Sequence, residues 1–285
     1  MEHLDVLIIE IVLSVFAVLA LLATSLVLFT ANTARRVERA LPPAGRFVDI
    51  NGARIHCVER GTGPVTLLLV HGLGGNALTF THSLVAQLAH EFRVIVMERI
   101  GSGYSRRAAG AGPIAQAETV AAFIRTLCLD RPVLVGHSLG GAISLATAVA
   151  HPSLVPADFT IAGGGMLGMR PSAFVSASTD LMAVSADMPL LVQCYHALSM
   201  PIAVLYGTHD RILDPLVHGE ALRVLLPQMR REWVEGAGHM LPLTVPDLVG
   251  RFVREVVASV RSARVADIVR SDRISAEGTS ARSCA

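Results

Sequence analysis

Hydrophobic positions along the chain fall into two regimes. From Ile11 to Phe29 the run IVLSVFAVLALLATSLVLF carries no charge, and at about 1.5 Å per residue such a helix spans about 28 Å, close to the hydrocarbon thickness of a bilayer. This predicts a transmembrane segment, with residues 1–31 as an N-terminal anchor. A cleaved signal peptide would carry basic residues ahead of its apolar stretch and a small-residue cleavage site after it. Here the preceding MEHLDVLIIE is acidic, and no Ala-x-Ala follows. Residues 32–45, bearing Arg35, Arg36, Arg39, Pro42 and Pro43, read as a linker whose charge marks the exit from the bilayer.

From Arg46 the pattern changes to short apolar runs. RFVDINGARIHCVERG alternates on either side of Asn51-Gly52, a hairpin signal because both turn positions favour positive φ. VTLLLVHG, RVIVME, PVLVGHS, DFTIAGG, IAVLYG and REWVEG follow as strands, most of them separated by helical stretches. That alternation predicts an α/β domain over residues 46–261: a mostly parallel sheet with helices on both faces, led in by an antiparallel hairpin. Between Gly163 and Met200 the alternation stops. Met166, Leu167, Met169, Phe174, Leu181, Met182, Leu190, Leu191 and Tyr195 crowd this segment, which reads as a short lid over about 163–200. Residues 262–285 are polar and without apolar periodicity, a flexible tail.

Composition narrows the picture. A chain of 285 residues, half of them apolar, can bury one large core. A formal charge of +1 provides no basic field to recruit nucleic acid, and none is expected as a partner. The cysteines, Cys57, Cys128, Cys194 and Cys284, form no Cys-x-x-Cys pair, and the histidines show no His-Glu-x-x-His spacing. Neither a metal nor an organic cofactor is expected.

The chemistry is concentrated at strand ends. In VLVGHSLGGAIS a strand-like run breaks at Gly136-His137-Ser138-Leu139-Gly140 and resumes as a helix pattern. This is the Gly-x-Ser-x-Gly elbow, whose glycines relieve a strained turn so that the serine Oγ projects above the sheet. A serine nucleophile needs a base, a carboxylate to orient that base, and donors for the oxyanion. His239 follows REWVEGAG, and Asp210 follows IAVLYGTH; Asp210 could instead be a turn or helix-cap aspartate, with Asp214, four residues on, supplying the carboxylate. Asp210 lies closer to the strand end. The expected catalytic set is Ser138, Asp210 and His239, in the chain order Ser, Asp, His. The backbone N–H groups of Leu73, in VHGLGG, and of Leu139, after the serine, are the expected oxyanion pair, with His71 shaping the loop.

On these residues the chain from about Arg46 to Val260 resembles an α/β-hydrolase-fold serine hydrolase. VHGLGG, ERIGSGYS, GHSLGG, GTHDRILDP and GAGHMLPLTVP occur in the family's order. Two features depart from the family: Glu98 and Ile100 stand in ERIGSGYS where members commonly carry Asp and Pro, and the lid is short, which implies an open site. Serine at the elbow argues against the epoxide hydrolases and haloalkane dehalogenases, which place aspartate there. The resemblance implies hydrolysis of carboxylic esters through an acyl-enzyme. With the apolar anchor and lid it points to acylglycerol or other lipid-like esters. Acyl transfer or cofactor-free perhydrolysis on the same fold is the alternative, and a non-catalytic, membrane-tethered binding protein a further one. The excess of arginine after the anchor, with Glu2 and Asp5 and no Lys or Arg before it, predicts a catalytic domain on the cytoplasmic side.

Overall fold

The computed structural model describes residues 2–108, 110–154, 160–161 and 171–259. Met166, Leu167 and Met169 of the expected lid, and the expected tail 262–285, lie outside the described residues, as does the side chain of Phe174.

Helix α1 (Glu2–Ala40) holds the apolar run and presents Val6 through Phe29 wholly outward. It is long and apolar enough to cross a membrane. It also runs without a break through the stretch expected as linker, to Ala40. Thirty-nine residues make a helix of about 58 Å, well beyond the roughly 30 Å of a bilayer core. The chain then reaches the hairpin β1 (Arg46–Ile50) and β2 (Ala53–Arg60), which pair antiparallel. Asn51 and Gly52 take φ values of 49° and 81°, the double positive φ their sequence favours.

The remaining strands are β3 (Thr66–Val70), β4 (Arg93–Met97), β5 (Val133–Gly136), β6 (Thr160–Ile161), β7 (Ala203–Gly207) and β8 (Arg230–Val234). Six form one sheet in the order β1-β2-β4-β3-β5-β6, parallel from β4 onward. Strands β7 and β8 form a separate parallel pair, with β7 packed beside β6. The sheet is thus mostly parallel, and its hydrogen-bonded ladder is divided where one continuous sheet was expected.

Central strands are apolar at nearly every position because both faces are covered. On one face Leu68, Ile95 and Leu134 pack with Val120, Phe123 and Ile124 of α4 (Pro113–Thr126) and Ile143 and Ala146 of α5 (Leu139–Ala150). On the other, Leu67, Leu69, Val94, Val96 and Val135 meet Phe80 of α2 (Leu78–Thr81) and Leu84 and Leu88 of α3 (Leu84–Leu88). Leu241 of α8 (Leu241–Thr244) and Phe252 and Val256 of α9 (246–259) complete that face. The segment expected as a lid contains α6 (Pro171–Cys194), which continues through Pro189 even though proline withholds one ladder donor. Helix α7 (Pro215–Leu225) joins β7 to β8.

Candidate active site

Parallel strands bring their carboxyl ends to one edge of the sheet, and the residues singled out from the sequence converge there. At the end of β5 the chain reverses into α5 through Ser138, at φ 51° and ψ −123°. Such a conformation costs a non-glycine residue on the order of 1–3 kcal/mol. The neighbours explain why it persists. A Cβ at Gly136 would lie 2.4 Å from the Gly140 carbonyl oxygen, and one at Gly140 would lie 2.1 Å from that of Val70. Only glycine permits this approach of α5 to β5 and β3. Hydrogen bonds from His137 N–H to Val70 O (2.9 Å), Gly140 N–H to His137 O (2.8 Å) and Gly141 N–H to Ser138 O (2.8 Å) close the turn.

His239 stands in the loop after β8, with its Nε2 3.1 Å from Ser138 Oγ and its Nδ1 2.7 Å from Asp210 Oδ2. Asp210 ends a turn after β7, and its other oxygen, Oδ1, accepts from Ile212 N–H (2.8 Å) and Leu213 N–H (2.9 Å). With both oxygens engaged, the carboxylate has one orientation. The two loops are also tied together, by His209 N–H to Ala237 O (2.9 Å) and Gly236 N–H to Thr208 Oγ1 (2.9 Å). Asp214 does something else: its Oδ1 accepts from Leu216 and Val217 N–H and caps α7.

Leu73 and Leu139 border the same cavity as Ser138. Among the described residues neither amide donates to a backbone acceptor, since Leu139 is the first residue of α5 and Leu73 lies inside the 72–75 turn. The cavity is about 580 Å³ and overwhelmingly apolar, with Leu145, Val184, Met188, Val192 and Leu222 in its walls. Helix α6 supplies several of these groups, so it roofs the site; Met182 and Leu190, also expected in the lid, point to solvent instead.

His71 and His137 are fully buried beside the serine. Burial, reinforced by the nearby Arg99 charge, lowers the His71 pKa to about 3. Accordingly Nε2 accepts from the Arg99 N–H at 3.1 Å, and Nδ1 donates to Gly72 O at 2.9 Å. Burial likewise holds the His137 pKa well below its ordinary value.

Glu98, a departure from the family pattern, does not wall the Ser138 cavity. Its carboxylate accepts from Ala77 N–H (3.1 Å) and Tyr104 N–H (2.5 Å) and faces His56 Nδ1 at 3.0 Å. It borders a different cavity, of about 690 Å³, between the end of α1 and the α2–α3 segment. Ile100 is buried in the core beneath α4. Sequence reasoning missed Arg99, Gln116 and Asp180, a buried polar group behind the 71–75 loop. Among the described residues no group of three or more His, Cys, Asp or Glu side chains could hold a metal ion.

Comparison with known proteins agrees with this architecture. Residues 65–193 match the family described as the alpha/beta hydrolase fold. RutD of Serratia proteamaculans (strain 568), named as a carbamate hydrolase, is 34% identical over 194 residues, covering 64% of this chain and 70% of RutD. Solved structures share the fold. One, a membrane phospholipase A described as a bacterial virulence factor, is 22% identical with a TM-score of 0.65 and covers 88% of this chain and 99% of its own. Another, an esterase from Thermogutta terrifontis, is 24% identical with a TM-score of 0.66 and covers 76% and 99%.

The buried neutral histidines have a consequence for stability. An unfolded chain protonates both near pH 6.5, whereas folded His71 stays neutral down to about 3. The unfolded state therefore binds more protons in that window, and stability should fall as pH drops from about 6.5 towards 3, by up to about 1.4 kcal/mol per pH unit for each histidine. Urea unfolding between pH 7.5 and 4.5 should show a shallower decline for His71→Asn than for the parent protein. Identical slopes would refute the neutral assignment.

Proposed function

This chain belongs to the α/β-hydrolase fold family, and we propose that within it the protein is a membrane-anchored serine hydrolase of carboxylic esters, with lipid-like acyl groups as substrates. The observation that carries the reading is the hydrogen-bonded series Ser138–His239–Asp210, at 3.1 and 2.7 Å, opening onto an apolar cavity.

In this reading Ser138 Oγ attacks the acyl carbonyl while His239 Nε2 takes its proton. Asp210 holds the imidazole with Nδ1–H towards the carboxylate and stabilises the imidazolium that forms. The Leu73 and Leu139 N–H groups receive the developing oxyanion, and His239 returns its proton to the leaving alcohol. Water, deprotonated by the same histidine, then releases the acid from the acyl-enzyme. The strained serine backbone keeps Oγ exposed at the cavity floor throughout.

The lipid-like preference is supported by the cavity walls and by α1. The fold shared with a membrane phospholipase A, over 88% of this chain's length, adds to that support. RutD's name gives a carbamate as its substrate; for this chain the apolar cavity walls favour an ester with an acyl chain. For α1 we propose an orientation with the N-terminus outside and the catalytic domain in the cytoplasm, because Arg35, Arg36 and Arg39 all follow the apolar run.

Site variants, an ester series, product analysis and a topology reporter test the proposal. Ser138→Ala and His239→Ala should each lower ester hydrolysis by on the order of 10⁴-fold or more and abolish labelling by a fluorophosphonate, because the set acts as a unit. Asp210→Asn should be far more damaging to turnover than Asp214→Asn, whose cost falls on α7; the reverse order would remove Asp210 from its role.

On a soluble domain beginning at Arg46, each added methylene should raise kcat/KM about fourfold until the cavity is full, from about 0.8 kcal/mol of apolar transfer per CH₂. A steady fall from acetyl to octanoyl esters would leave a small-ester hydrolase. Product analysis with added alcohols or peroxide would expose acyl transfer or perhydrolysis as the main activity.

A reporter active only outside the cytoplasm, fused after Ala285, should stay silent. Activity there would invert the topology.

A further inference from the structure

Arg99 is the largest side chain among the described residues that is fully withdrawn from solvent, and the reaction above makes no use of it. It follows Glu98 at the carboxyl end of β4 and lies directly behind the loop that carries Leu73. Its guanidinium makes four contacts. Nε donates to His71 O (2.9 Å), Nη2 to Gly72 O (2.9 Å), and Nη1 to both Gln116 Oε1 (2.7 Å) and Asp180 Oδ2 (2.8 Å). Asp180, on α6, is equally buried, and its Oδ1 accepts from Arg107 Nη2 at 2.5 Å.

Stability alone is a weak reason for this arrangement, because a buried ion pair is often no better than apolar residues of the same volume. What the fork holds is more informative. The Gly72 carbonyl and the Leu73 N–H belong to one planar trans peptide unit and point in opposite directions. Gly72 O accepts from Arg99 Nη2 and His71 Nδ1, each at 2.9 Å, and from Gly75 N–H across the 72–75 turn at a longer 3.2 Å, so Arg99 is the partner outside the loop that helps set the direction of the Leu73 N–H. Gly72 also passes so close to the nucleophile that an added Cβ would lie 2.9 Å from Ser138 Cβ. A loop reading Gly-Leu-Gly-Gly has little intrinsic preference against flipping that peptide. The external clamp from Arg99 reinforces the turn's own longer bond from Gly75.

We propose that Arg99 is a positioning residue for the oxyanion donor: it locks the 72–73 peptide with the Leu73 N–H facing Ser138, and Asp180 makes the roofing helix α6 the element that holds the lock. The assignment rests on the reading of Ser138 as nucleophile. It couples two parts of the site, since α6 also supplies Leu181, Val184, Met188 and Val192 to the cavity. Displacing α6 would release Arg99, and with it the donor.

The test uses the full chain. Arg99→Lys keeps a charge for Asp180 but cannot span both carbonyls, and it should lower kcat by about 10- to 100-fold, the scale of a misdirected oxyanion donor, with KM changed by less than about threefold. Affinity for an alkyl boronic acid, which becomes a tetrahedral anion on a serine oxygen, should weaken by the same factor as kcat. Hydrogen–deuterium exchange over residues 70–76 should quicken. Asp180→Asn preserves shape and should show the same signature at about 3- to 10-fold, consistent with a partly loosened clamp. A folded Arg99→Lys protein with unchanged kcat and boronate affinity, or one whose whole loss lies in KM, would overturn the assignment. If Arg99→Lys does not fold, Asp180→Asn with parental kcat and boronate affinity would do so. Failure of the underlying reading looks different: a wild-type protein that hydrolyses no ester and takes no fluorophosphonate, which would end both.

Discussion

Ser138 sits at φ 51°, ψ −123° between a strand and a helix, and much of the surrounding structure follows from what that conformation requires. The turn is tight enough that α5 must lie against the backbone of β3 and β5, which confines positions 136 and 140 to glycine. The strain, on the order of 1–3 kcal/mol, is offset by backbone hydrogen bonds of about 1 kcal/mol each and by burial of Ile143 and Ala146 in the core. Only a sheet covered on both faces can hold its central strands rigidly enough for this. Rigidity at β5 then fixes where the neighbouring strand ends must deliver their own residues.

A second requirement comes from the loop after β4. Residues 98–105 carry Glu98, Arg99, Ser102 and Ser105, all buried. Buried charge is tolerated only when its oxygens and N–H groups find partners, and here the partners are distributed with purpose. Glu98 holds the start of α2 through Ala77 N–H and its own loop through Tyr104 N–H. Ser105 ties the same loop to β2 through His56 N–H and Glu98 O. Arg99 faces the other way, towards the 71–75 loop and α6. One short loop thus supports the backbone on either side of the serine.

Much of the fold was legible because its signals are local. Asn51-Gly52 encodes a hairpin through two φ angles, and Gly136-x-Ser138-x-Gly140 encodes a strand-to-helix reversal through two missing Cβ atoms. Asp210 and His239 could be found because strand ends are where a parallel sheet exposes side chains, and the structure brings both within hydrogen-bonding reach in sequence with Ser138. The two aspartates differ in geometry: both oxygens of Asp210 are engaged, one by His239 and the other by its own turn, whereas Asp214 caps α7. The illegible part is long-range. Arg99 and Asp180 are 81 residues apart and carry no mutual pattern. Helix α6 was obscured by Pro189 and by an apolar content lacking clear periodicity. The extension of α1 to Ala40 was hidden by arginines that read as a linker but are also good helix formers.

The length of α1 bears on where the site lies. With α1 across a bilayer as proposed, about eleven residues separate Phe29 from Ala40, roughly 16 Å of helix beyond the apolar run. The headgroup region is only some 5–8 Å deep on each side, so Arg35, Arg36 and Arg39, about 9–15 Å beyond Phe29, and Ala40 after them all emerge past it. The chain is tied to the domain almost at once: Tyr104 OH donates to Leu41 O at 2.6 Å, and His56 Nε2 lies 2.9 Å from Ala44 O. Both tethers end on the Glu98–Ser105 loop or on its partner His56, which faces Glu98 at 3.0 Å. The loop that receives the anchor is therefore the one whose next residue, Arg99, grips the peptide beside Ser138. Few residues separate the end of α1 from the Ser138 site, and His56, Glu98 and Arg99 among them are buried. In the proposed orientation these short ties would keep the domain near the bilayer, where a flexible linker of the same length would let it range more widely.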